Sequence, residues 1–174
     1  MAGDIKDKYI ASVSPTVTNL HSLASSQDWT AGWCSAAVDN TTNCYLDYMY
    51  AGTFTTHASN RQAGVINVYV IPSLNDTPTW PATASGTIGT EGALSFADTE
   101  ERDAVCVPIA SITVDNSGGA IYPMVMRAIA SYFNGEMPSH HAIFISHNCS
   151  TTTTAGLAAA GSALYYTPKT KQYT

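Results

Sequence analysis

Apolar and polar positions alternate in short runs along this chain, and the runs end at Gly, Pro, Asn or Asp. The pattern predicts strands over 32–38 (GWCSAAV), 44–57 (CYLDYMYAGTFTTH), 64–72 (GVINVYVIP) and 103–115 (DAVCVPIASITVD). It predicts three more over 120–133 (AIYPMVMRAIASYF), 140–147 (HHAIFISH) and 162–170 (SALYYTPKT). Turn-rich connectors lie at 73–92, 115–119 and 134–139. Pro108 sits inside one run and cannot donate to a ladder, so it marks an edge strand or a bulge. The segment 124–133 also fits a helix, with Val125, Ala128, Ile129 and Tyr132 on one face, but its turn signals and short length favour a strand. No repeat or linker divides the chain. The expected architecture is an all-β antiparallel sandwich, a single domain over 20–174, preceded by an N-terminal arm over 1–19.

Two of the runs are apolar on both faces. In 141–147, His141, Ile143, Ile145 and His147 oppose Ala142, Phe144 and Ser146; in 64–71, Val65, Tyr69 and Ile71 oppose Ile66, Val68 and Val70. A sandwich strand ordinarily buries one face and wets the other. Something must therefore cover the second face: another strand, the long 73–102 connector, or a partner chain.

Composition sharpens this. Apolar residues make up 45% of the 174, which argues against disorder, and charged residues only 11%, against about 25% in ordinary soluble proteins. A surface rich in hydroxyls and methyls is cheap to desolvate at a contact. It suits packing against neighbours, and equally a monomer with a weakly charged skin. The net charge is −6, and the seven Lys and Arg are scattered, so no basic stripe exists to neutralise phosphates and nucleic acid is not an expected partner. No apolar run is long enough to span a membrane, and the first residues lack an apolar signal core. The expectation is a chain made and kept in a cytoplasm, without a membrane partner.

Chemistry is sparse. The corner Ser146-His147-Asn148-Cys149-Ser150 lacks the glycines of a nucleophile elbow. His147 and Cys149, two apart on an extended strand, stand ~7 Å from each other, beyond hydrogen-bond reach unless the chain bends at Asn148. Of His140, His141 and His147, His141 and His147 share a strand face but lie ~20 Å apart along it, so they cannot ligate one metal ion unless the strand curls back, and a metal site is not expected. Cys34, Cys44, Cys106 and Cys149 contain no C-x2-C pair. Cys34 and Cys44 flank the turn-like 39–43, and register decides whether they meet; a reducing compartment favours free thiols. The acidic run 98–103 (DTEERD) offers hard calcium ligands but lacks EF-hand spacing, so a solvated loop is expected. Asp39 and Asp47 are candidates of the same kind. No glycine-rich phosphate cradle appears. The expectation is no catalytic residue, no cofactor and no metal site.

Aromatic residues are the remaining lead, because exposed rings on a sandwich stack sugars or anchor protein contacts. The candidate contact residues are Trp29, Tyr48, Tyr50, Trp80 and Tyr165. Four phrases in order, LASSQDWTAGWCSAAVDNTTNCYLDYMYAGTFTT, VINVYVIPSLNDTPTWP, MPSHHAIFISHN and SALYYTP, resemble a family of small structural proteins of tailed bacteriophages over residues 20–168. The family-like positions are Trp29, Gly32, Ser35, Val38, Asp39 and Asn40, then Asp76, Thr77, Pro78 and Trp80, then His147, Asn148, Tyr165 and Pro168. A Thr-Gly-like turn after His-Asn is replaced here by Cys149-Ser150. The resemblance implies a jelly-roll-like sandwich in the virion, on the capsid surface. As a decoration or cement protein it would bind the major capsid protein, and it would associate with itself as a dimer or trimer. A lectin-like module binding host-surface glycans through exposed rings is the alternative.

Overall fold

A computed structural model describes residues 4–73, 75–151 and 154–173. In chain order they form β1 (Ile5–Tyr9), β2 (Ala31–Cys34), β3 (Val38–Asp39), β4 (Asp47–Thr55), β5 (Gly64–Ser73) and β6 (Gly92–Ser95). Then come α1 (Thr99–Val105), β7 (Val107–Val114), β8 (Ile121–Ala128), β9 (His140–His147) and β10 (Ala163–Tyr173). Short 3-10 turns cover Thr18–Leu20 and Ile129–Phe133. One sheet runs β1-β10-β4-β8; the other runs β6-β2-β9-β5-β7, with β3 also on β9. The first strand pairs with the last and β2 with the next to last, while β4 and β5 take the following places inward. With β6 added at one edge, this is the strand order of a jelly roll, and all the pairings are antiparallel.

Alternation decides which side chains go inside. On β4, Tyr48, Tyr50 and Phe54 point into the sandwich, between the half-exposed Met49, Ala51, Thr53 and Thr55. They meet Ile66, Val68 and Val70 of β5 and Ile143 and Ile145 of β9 in the main core. The other face of β5 and β9 carries Tyr69, Ile71, Ala142 and Phe144. It is buried under the chain's own connector, whose Ile88, Leu94 and Phe96, with Cys106 after α1, form a second core with them. All eight residues of β9 are therefore buried. Of the three covers that the doubly apolar strands allowed, the 73–102 connector is the one present.

Several elements differ from the sequence reading. The acidic run 98–103 is a helix start, not a solvated loop. Asp98 accepts from the Glu101 backbone N–H at 2.8 Å, and the Glu101 carboxylate accepts from the Ala97 N–H at 3.0 Å, a reciprocal cap that satisfies orphan donors. The strand expected from 103 begins only at Val107, and Pro108 lies at a bulge on an edge strand. The run 120–133 is a strand to Ala128 and then a 3-10 turn. The 32–38 run breaks at Ser35. Its N–H still donates to the Ile143 carbonyl at 2.9 Å, while its hydroxyl replaces a backbone acceptor for the Ile143 N–H. Within the expected 1–19 arm, Ile5–Tyr9 forms the edge strand β1 on β10.

Candidate functional site

The His147 corner is a backbone clamp. His147 is fully buried. Its Nε2 lies 3.0 Å from the Leu23 carbonyl and must carry the proton; its Nδ1 accepts from the Cys149 N–H at 3.2 Å. Both ring nitrogens are spent on backbone, so neither can take a proton from Ser146, Cys149 or Ser150. Burial holds the imidazole down at about 4 and pushes the Cys149 thiol up to about 12. The Ser146 hydroxyl donates to the Ala31 carbonyl, and Ser150 shares a proton with Thr154. Asn148 closes the corner by accepting from the Val65 N–H at 2.7 Å.

His141 sits between the sheets, 2.9 Å from the Tyr50 hydroxyl, with Tyr48 edge-on at 4.9 Å. Burial, with a smaller push from His140, holds it down at about 3. The same burial raises Tyr48 and Tyr50. These two tyrosines are each 1% exposed, which removes them from the contact candidates; strand parity puts them inside. Trp80 is half-buried against the second core. Trp29 is half-buried too, and its indole N–H points at the Val65 carbonyl. Tyr165 alone of the five is exposed. No group of three or more His, Cys, Asp or Glu able to hold a metal ion occurs among the described residues, and none of their helices is long and apolar enough to cross a membrane.

The four cysteines are free, so Cys34 and Cys44 do not pair. Burial pushes the Cys34 thiol up to about 11 and Cys106 up to about 12, while Cys44 is exposed. Native protein should titrate one fast thiol with an aromatic disulfide reagent, and four after denaturation. Two or more fast thiols in the native state would contradict this burial.

Tyr165 marks a surface that the described residues leave largely open, the outer face of β1-β10-β4-β8. Register places Ala163, Tyr165 and Thr167 of β10 beside Thr53, Ala51 and Met49 of β4. Pro123 and Ile121 of β8 follow beside Thr53 and Thr55. Ile121 and Val125 are 64% and 67% exposed, and Met126 stands at the bulged rim. None of these residues is charged. Charge appears at Arg127 on the bulged edge and at the far end, where Asp7 bridges Lys169 and Lys171. Both edges of this sheet resist strand addition: β1 carries Lys6, Asp7 and Lys8, and β8 carries Pro123 and the bulge. The open apolar area is thus a face, not an edge. No protein-family model, curated protein or solved structure matches the chain.

Proposed function

We propose that this chain is a bacteriophage virion structural protein, a decoration or cement protein seated on the outside of the head against the major capsid protein. The observation that carries the reading is the outer face of the four-stranded sheet, with Ile121, Val125 and Tyr165 exposed in an uncharged area bounded by Arg127 and by the Asp7, Lys169 and Lys171 cluster. Large exposed apolar areas on folded domains mark contact sites. The low charge content adds support, because such a surface is cheap to desolvate. The phage-like phrases supply the partner. Repetition by shell symmetry multiplies a modest contact into strong attachment, and a dimer or trimer of this chain would extend it.

The test is the tolerance of particles. Heads lacking the chain should rupture at lower temperature or smaller osmotic shock. Added wild-type protein should restore them, and Val125→Glu should not, because it buries an unpaired carboxylate at the contact. Heads that are equally robust without the chain would overturn the reading.

A further inference from the structure

At the loop end of the sandwich the chain forms two clefts that share one residue, Tyr45. Tyr45 lines both, one of about 560 Å³ and one of about 290 Å³. Its position is built. The side chain of Asn40, itself only 7% exposed, accepts from the Tyr45 N–H at 2.8 Å and donates to the Tyr45 carbonyl at 3.0 Å. The same Asn40 oxygen accepts from the Tyr48 hydroxyl at 3.0 Å, and the Tyr48 ring meets Tyr45 edge-on at 5.7 Å. The ring is thus anchored through a buried amide and a buried aromatic, while the larger cleft beside it stays open.

We propose that the larger cleft binds a saccharide, with Tyr45 as the ring on which a sugar lies. Its lining is two-sided in chemistry. Tyr45, Leu46 and Met137 offer apolar surface, and Leu46 is 45% exposed. Thr41, Asp76 and Glu136 offer oxygen acceptors, and among the described residues neither carboxylate side chain has a partner. A pyranose has the complementary form, an apolar C–H face and a rim of hydroxyl donors. Pockets that fix such a ligand combine an aromatic wall with a few placed polar groups. The cleft shares no residue with the outer sheet face, so the site does not depend on the attachment reading.

The experiment is an amide-shift titration of the full chain with methyl glycosides of glucose, galactose, mannose and N-acetylglucosamine. At least one should move the amides of Thr41, Tyr45, Glu136 and Ser139 saturably. Tyr45→Ala should weaken that binding about tenfold, the value of one lost ring contact. Because Tyr45 packs on Tyr48, the exposed Glu136→Ala, which leaves the packing intact, should also weaken it. Val125→Glu should leave the titration unchanged, which separates this site from attachment. No saturable shift from any glycoside would overturn the proposal. So would shifts at the cleft from a trilysine peptide with none from the glycosides, since a cationic protein segment would then be the ligand.

Discussion

Between pH 6.5 and 4.5 the folded protein should lose stability with a slope approaching about 2.7 kcal/mol per pH unit, which is two protons at about 1.36 each. The two protons belong to His141 and His147. Both are fully buried, and burial holds them at about 3 and about 4, against an ordinary 6.5. Above about pH 7.5, one unit over the ordinary imidazole value, both rings are neutral whether folded or unfolded, and they contribute no pH dependence. Below it the unfolded chain takes up two protons that the folded chain refuses, so acid favours unfolding until each folded value is reached. Above about pH 5.5, a unit over the ordinary carboxylate values, the slope belongs to these groups alone. Below it Asp7, Asp39, Glu91 and Asp115, all held under the ordinary carboxylate range by hydrogen bonds or ion pairs, add losses of the same sign. Urea midpoints at constant m, measured from pH 7 to 4.5, check the slope. His141→Gln and His147→Gln should each remove roughly half of it, whatever they do at neutral pH. Stability that stays flat across the window would contradict the burial of both rings.

Gly32→Ala should destabilise the fold by about 3 kcal/mol or more, the upper range for forcing atoms into a filled space. Gly32 lies on β2 against the central strand β9. A Cβ there would be driven into the Ile145 carbonyl oxygen and would press the Phe144 ring at 2.9 Å. The obstacle is backbone, fixed on its other side by the β5 ladder, so no rotamer change relieves it. Ala31→Ser, one residue earlier and exposed, should stay within about 0.5 kcal/mol of wild type. Denaturant curves of the two variants make the comparison. A Gly32→Ala protein within 1 kcal/mol of the wild type would mean that β2 sits farther from β9.

The split of β9 into His141, Ile143, Ile145 and His147 on one face and Ala142 and Phe144 on the other was legible from alternation alone. That both faces needed covering followed as well. Which cover is used did not follow, because the connector carries its apolar residues, such as Ile88, Leu94 and Phe96, widely spaced among turn signals. Strand β1 was hidden because IKDKY has no buried face; its pairing comes from β10. Helix α1 did carry a sign, the Asp98-x-x-Glu101 cap, but the Val/Ile run behind it drew the reading toward a strand. For the contact residues the deciding signal was parity. Tyr48 and Tyr50 share theirs with Phe54 and go inside, whereas Tyr165 faces out opposite Ala51. Residue type alone could not separate them. The Tyr45 cleft was not legible at all, because it joins loops that meet only in the fold.

The most direct measurement of the attachment reading is an image of the intact particle at residue resolution. It should show the outer face of β1-β10-β4-β8 closed against the major capsid protein, with Ile121, Val125 and Tyr165 in contact. A head without this chain, or a chain on the head with that face open to solvent, would contradict it.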